Sequence, residues 1–533
     1  MADQQRMYDL IDSIVANAEA LRAEVDTLGP PPEPPDGAVL TVRIGESVQG
    51  AYDTLAATGG TIKLEVGGVE RPHVGTLRIA ERPVGAPLVV ITSDTEHLPP
   101  AGTRITREAL PGLAVLKSAT PNTNTITGDV RSRNVAFAGV AFGAPITNNN
   151  GIAYIGGDDH DMPTPADCPE NYSFDRCVFL GDPTLGTHQG ITPGMRNSRI
   201  TDSSMYDIFE VGRDSQCIGG RNGTNVLLVE NCYLEAGAEN IMFGGADSAS
   251  REMMSADIII RRCHFAKQLA WMDLASEPSI KCLLEIKSAA RVLVEACLFE
   301  CNWARDWSSG VAIMLKAANQ SGRETWATCE DVTIRDCVIR HVGSIFGLVG
   351  KNDSNEVSDW MRRVRIANVL AYDVNLAPYT GSGRGCDIAN GVEGGLVVDH
   401  VTYHTNQHSW MSMRFDSGIT QSPGPLTFTN SVVAESDYGY WSDDNGMGFG
   451  AAAADWGATT IAGNVFKQGE RSSQQGTLPP DNLRLAAAAW DASFDPQYRI
   501  LPGSPAAAVP TTDGTLPGAD VPEVERAARR GCA

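Results

Sequence analysis

The residues best placed for acid–base chemistry lie in the segment Leu-Glu-Ala-Gly-Ala-Glu-Asn, 234–240. Glu235 and Glu239 flank a Gly turn and could share a face, and Asp247 follows beyond the next predicted strand. Cleavage of a glycosidic bond needs an acid and a base or nucleophile at a suitable separation. Glu235, Glu239 and Asp247 are therefore the catalytic candidates, with Asp214 and Gln216 a little earlier in the chain. The alternative is that these are turn residues and surface carboxylates.

A second set is basic. Aligning NIMFGGAD (240–247), LLEIKSAA (283–290), AIMLKAAN (312–319) and GLVGKNDS (347–354) brings Lys287, Lys316 and Lys351 into one column. Like charges stacked ~4.8 Å apart repel, so a fold gains nothing from such a column. Against a formal charge of −23 it forms a local basic stripe, suited to an acidic polysaccharide. Trp271, Trp303, Trp307 and Trp326 fall in loops of the same stretch, where aromatic faces suit sugar rings. Lys287, Lys316, Lys351, Trp303 and Trp307 are the glycan-binding candidates; the alternative is lysines fanned into solvent and packed tryptophans. GGDDHD (156–161) offers oxygen ligands for a cation but reads equally as a solvated loop. His264 and His341 read as ordinary coil residues, and no metal or cofactor is expected.

What must position these side chains is a repeat. From Phe137 to Phe466 the chain carries eleven copies of one pattern: an apolar residue, two mostly polar residues, a small or thiol residue, and an apolar residue two further on. FAGVAF (137–142), FDRCVF (174–179), VENCYL (229–234), IRRCHF (260–265) and IRDCVI (334–339) are examples, and successive copies start 26 to 40 residues apart. A period of this size is one unit of a solenoid. Two short runs rich in Val, Ile, Phe and Cys around a polar pair read as strand, tight turn, strand. The expected fold is all-β, a parallel β-helix of about eleven coils. Asp202, Asn231, Asp336, Asn368 and Asn430 stand at the turn, where Asn and Asp tolerate the dihedrals and can bond along the axis.

Of twelve cysteines, Cys177, Cys232, Cys263, Cys297 and Cys337 share one place in the repeat. Neighbours in a parallel ladder have side-by-side Cβ vectors, a poor disulfide geometry. They are expected to be reduced, buried thiols. A straight column also cannot surround a metal ion tetrahedrally.

Residues 1–29 are expected to form a helix with Ile11, Ile14, Ala18, Leu21, Val25 and Leu28 at alternating spacings of three and four, extended backwards by Met7. This is a heptad seam, ended by Gly29-Pro30. The expectation is a coiled coil between chains; the alternative is a helix docked on its own chain. A Pro-rich linker (30–37), an entry and cap (38–125) with a short helix at Gln49–Leu55, the β-helix (126–470) and a C-terminal tail (471–533) complete the layout. The acidic balance argues against nucleic acid as partner. No run of 18 apolar residues predicts a membrane helix, and the N-terminus does not read as a signal peptide.

In their order these coils resemble the pectin-lyase-like right-handed parallel β-helix proteins, and most closely a group of uncharacterised bacterial members. The similar stretches include DRCVFLGDPTLGTHQGI (175–191), VGRDSQCIGGRNG (211–223), ENCYLEAGAENIMFGGADS (230–248), DIIIRRCHFAKQLAW (257–271) and LLEIKSAARVLVEACLFECNWA (283–304). The resemblance implies a right-handed fold and no mechanism. Asp158-Asp159 is present, but the Gly-His-Gly and Arg-Ile-Lys motifs of the pectin-hydrolysing members are not. A seam and linker before such a body look like a bacteriophage tail spike or fibre, a class that is typically homotrimeric. The resulting expectation is a trimeric virion tail protein, attached to tail or other virion proteins through its N-terminal segment, that binds host surface polysaccharide. The alternatives are a polysaccharide-degrading hydrolase or lyase, and a β-helix protein of the bacterial surface.

Overall fold

The computed structural model describes residues 2–33, 35–118, 120, 123–143, 151–274, 276, 278–305, 308–352, 357–405 and 408–530. They fall into two compact units, one of residues 22–279 and one of residues up to 21 with 280–530. Each is a stack of parallel β-helix coils, as the repeat predicts.

In the N-terminal unit a coil runs as strand, turn, strand, corner, strand; Asn225–Glu230, Tyr233–Ala236 and Glu239–Phe243 are one example. The first apolar positions of the repeat pair in register, Phe137↔Phe174↔Ile200↔Val229↔Ile260. The last ones do likewise, Phe142↔Phe179↔Met205↔Leu234↔Phe265. All ten side chains are fully buried, so each column is a continuous core strip. The C-terminal unit repeats this with Val294↔Ile334↔Ile366↔Val398↔Phe428↔Ile461. Pairing begins before residue 126: Val39–Val42, Gly60–Leu64, Val89–Ser93 and Arg133–Ala138 are successive parallel neighbours. The helix Val48–Leu55, capped by the Ser47 hydroxyl, packs Tyr52 and Leu55 inward beside them.

The turn between the first two strands is one left-handed residue. Asp202, Asn231, Asp336, Asn368 and Asn430 have φ between 51° and 57°, a region that Asn and Asp enter more readily than other side chains. Their stacking is bonded as expected: the Asn231 amide donates to Asp202 at 2.6 Å and the Asn368 amide to Asp336 at 2.7 Å.

The cysteine column is buried, and the described cysteines form no disulfide. Each thiol donates to the carbonyl two residues back, from Cys177 to Asp175, Cys232 to Glu230, Cys263 to Arg261, Cys297 to Glu295 and Cys337 to Arg335. Burial pushes the Cys177 thiol up to about 12. Ser203 and Ser431 occupy the same place and make the same bond, to Thr201 and Thr429, at 2.8 and 2.7 Å. A serine hydroxyl in this column therefore has a partner waiting. Cys263→Ser is expected to cost less than about 1 kcal/mol in a denaturant titration, and a loss above ~2 kcal/mol would show that the carbonyl does not accept it.

The helix at the N-terminus spans Ala2–Asp26. Ile14, Ala18, Leu21 and Val25 are at most 6% exposed within the single chain. In the C-terminal unit, Asn17 donates to Asp331 at 3.1 Å and Glu19 pairs with Arg335 at 3.0 Å. In the N-terminal unit, Asp26 pairs with Arg261 at 3.2 Å, and the Arg199 guanidinium donates to the carbonyls of Leu28 and Gly29. The expected interchain coiled coil is corrected: the seam is spent on the helix's own chain. Three–four spacing defines an apolar stripe and does not specify what covers it. Leu21→Ala should lower stability by about 2–5 kcal/mol, as a core truncation does, read by chemical denaturation; a solvent-facing seam would show almost no loss.

The C-terminal helix Val521–Arg530 lies on a flank of its unit, with Val521, Val524 and Ala528 against Leu298, Val338 and Leu370. Among the described residues no helix is long and apolar enough to cross a membrane.

Candidate functional site

The flank carrying Glu235 is built from three successive second strands of the N-terminal unit, Ser204–Ile208, Tyr233–Ala236 and His264–Ala266. Ser204, Tyr233 and His264 stand in register. The pairing then slips: Met205 faces Leu234, but Ile208 faces Ala236. Two residues, Tyr206 and Asp207, thus oppose the single Glu235. This is a β-bulge, a device that re-aims side chains. Asp207 takes φ 56°, and a Cβ on Gly181 of the preceding coil would collide with its carbonyl oxygen.

The bulge brings two carboxyl groups together. Glu235 Oε1 accepts the Asp207 backbone N–H at 2.9 Å and the Gln268 amide at 2.6 Å, and Oε2 accepts the Tyr233 hydroxyl at 2.9 Å. The same Gln268 nitrogen donates to Asp207 Oδ1 at 2.9 Å. Arg107 pairs with Asp207 Oδ2 at 2.6 Å and lies 4.4 Å above the Tyr206 ring. The Tyr206 and Tyr233 rings are 5.1 Å apart, and Tyr233 and His264 also 5.1 Å. Burial raises the Glu235 pKa above the usual carboxylate range; its three donors oppose this and the Asp207 charge adds to it. One carboxyl group is thus shifted upward by burial beside another bonded to a guanidinium. A buried carboxyl group beside a second one can serve as a general acid. A single amide reaches both groups, so the two carboxyl groups are neighbours.

The other catalytic candidates do not join this pair. Glu239 is fully buried and accepts the Gln216 amide at 2.7 Å. It continues a buried ladder, Gln189↔Gln216↔Glu239. Lys267, buried, caps the corner between Glu235 and Glu239 by donating to the carbonyls of Ala236, Gly237 and Ala238. The expected sharing of a face across the Gly turn is thus corrected: Glu239 bonds to the Gln216 amide and is not among the partners of Glu235. Asp247 is buried in the loop after that strand and is not among the partners of Glu235.

The lysine column is also corrected. Ile286 faces Leu315, which sets Lys287 beside Lys316, but Lys316 faces Val349. Lys351 stands two residues beyond the column. Lys287 Nζ is 3.2 Å from Glu285, and Lys351 Nζ lies 5.1 Å from the Trp360 ring centre. Trp303 and Trp271 are buried, the latter 5.4 Å from Phe209; Trp307 lies outside the described residues. Asp158 caps its own turn by accepting the His160 and Asp161 N–H groups.

Asp207, Arg107, Gln268 and Tyr206 are site residues that the sequence reading does not single out. Aligning ITDSSMYDIF on VENCYLEAGA would have set Tyr206 opposite Glu235, and only the bulge adds Asp207.

No protein-family model matches the chain, and no curated protein matches it. Among solved structures it is similar to the tailspike protein of E. coli bacteriophage HK620 in complex with a pentasaccharide, at 10% identity over 84% of this chain and 75% of that one, with a TM-score of 0.41. A double mutant of the same tailspike with pentasaccharide matches at 11% identity, 84% and 75% coverage and a TM-score of 0.40. Matches this distant assign no activity.

Proposed function

We propose that the chain is a spike-type β-helix protein that binds a bacterial surface polysaccharide along the flank of Tyr206, Tyr233 and His264. The observation that carries this reading is the flank itself. Three part-exposed rings follow one another at 5.1 Å intervals, as a row that sugar rings could follow, beside the guanidinium that lies over Tyr206 and two buried carboxyl groups. A rigid solenoid presents such a row without reordering, which removes part of the cost of binding an extended chain. A place in a phage tail and assembly as three chains belong to the same proposal. With the heptad seam covered by its own chain, contacts between chains would have to come from other surfaces.

The test is incubation of the full chain with capsular polysaccharide and lipopolysaccharide from candidate hosts, for wild type and a Tyr206→Ala, His264→Ala double variant. At ~0.5–1.5 kcal/mol per aromatic contact, the double variant should bind about ten-fold more weakly. Undiminished binding would move the site elsewhere. The Asp207–Glu235 pair favours a second reading, cleavage of the bound glycan by hydrolysis.

A further inference from the structure

A turn column of the C-terminal unit gathers ligand-type side chains far from any role in the flank above. The strand Leu298–Glu300 pairs in register with Cys329–Val342, Glu300 opposite Arg340. That strand pairs with Arg362–Val374, Arg340 opposite Tyr372. One step further along stand Cys301, His341 and Asp373, on three successive coils, with φ of 62°, 53° and 52°. Asp and His enter this left-handed region fairly often; a cysteine there is out of place on conformational grounds. Cys301 is also the one described cysteine that is not buried.

The side chains converge. One ligand atom each from Glu300, Cys301 and His341 lies within 4.8 Å of the other two. His341 Nε2 is 3.3 Å from Asp373 Oδ2. A carboxylate on one ring nitrogen orients an imidazole whose other nitrogen binds a metal and raises its basicity. The Tyr379 ring stacks on His341 at 5.1 Å, and its hydroxyl is 3.8 Å from Cys301 Sγ. A ring nitrogen, the sulfur and a carboxylate oxygen thus lie close together beside the Tyr379 ring.

We propose that Glu300, Cys301 and His341 bind one divalent d-block cation of the zinc kind, through a carboxylate oxygen, the thiolate and His341 Nδ1. Asp373 holds the imidazole, and a fourth position is left to water. Thiolate with imidazole selects borderline d-block ions over calcium or magnesium. Arg340 is bonded to Glu300 Oε2 at 2.7 Å and holds that carboxylate beside the other two side chains. Burial, with the Glu300 charge, pushes the Cys301 thiol up to about 11; on binding, the S–H proton passes to solvent and the sulfur lone pair to the metal. The ion ties the turns of two neighbouring coils.

The experiment titrates Co²⁺ into the full chain and then displaces it with Zn²⁺. A near-ultraviolet thiolate-to-cobalt charge-transfer band is expected, lost in Cys301→Ser and on Zn²⁺ addition. Asp373→Asn should weaken binding about 10–100-fold. No such band, or one that persists in Cys301→Ser, overturns the proposal. A second measurement needs no variant. Alkylation of native Cys301 by iodoacetamide, followed by peptide mass, should slow markedly with Zn²⁺ present; an unchanged rate overturns the proposal equally.

Discussion

Glu235→Gln is expected to abolish shortening of a bound polysaccharide while leaving the protein at least as stable at neutral pH. General acid catalysis by one carboxyl group is worth about 10²–10⁴-fold, and an amide has no proton to give. Asp207→Asn should lose a comparable factor, since it removes the partner carboxylate. Stability moves the other way. The Glu235 pKa is raised in the folded chain, burial being the first cause. The folded state then holds more protons than the unfolded state above the ordinary glutamate value, so the contribution of this group is fully present below that value and is lost as pH rises through the folded one. Glutamine keeps the shape and can still accept from Asp207 N–H and Gln268, and it relieves the charge beside Asp207. The variant should melt as high as wild type or higher at pH 7, and the difference should vanish in acid. Cleavage should fall on the alkaline side as Glu235 gives up its proton. Polysaccharide size after incubation and paired melting curves read both. Unaltered chain shortening in Glu235→Gln would remove the hydrolytic reading, and a variant melting well below wild type at pH 7 would mean that the site holds the ionised form.

The fold was legible because a solenoid writes the same local instruction many times. Phe137, Phe174, Ile200, Val229 and Ile260 recur at one place in the repeat and meet in one column, so register could be read without coordinates. The turn asparagines were legible for the same reason. Where coils differ in length, the reading slipped. The lysine alignment took the third strands as equally spaced, yet Lys316 faces Val349 and misses Lys351 by two residues. The seam of the first helix was visible and its partner was not, since a stripe is the same against another chain or its own. At the site, Glu235 could be named from residue type and its Gly corner. Asp207 could not, because a bulge is a departure from the period. Arg107 could not either: it reaches Asp207 from 100 residues away in sequence, and no local pattern encodes that contact.

Arg82→Met is expected to be among the most destabilising single changes in the N-terminal unit, about 3–5 kcal/mol. Arg82 is 4% exposed, and it bonds to carbonyls. Its Nη1 donates to Arg133 and Asn134 at 2.7 and 2.9 Å, and its Nη2 to Ala56 and Pro87 at 2.7 and 2.5 Å. Nε also donates to Ala56, at 3.2 Å. Ala56 is the C-cap of the helix Val48–Leu55, so one guanidinium ties the end of that helix to the strand Arg133–Ala138 and the loop before Val89–Ser93. Burial lowers its pKa, a cost offset by the hydrogen bonds. Methionine fills most of the volume but leaves several carbonyls without a donor, each costing ~1–3 kcal/mol. Loss of one partner from a buried charged network is of the same size. Arg82→Lys should rescue little, because a single ammonium cannot span the fan that the planar fork covers. Solenoid units open locally, so the readout is hydrogen exchange over residues 39–64 together with the melting curve. Faster exchange there, with protection in the C-terminal unit unchanged, is the expected result. Wild-type protection in Arg82→Met would mean that the carbonyl fan is satisfied by water and that the arginine does not hold the first coils together.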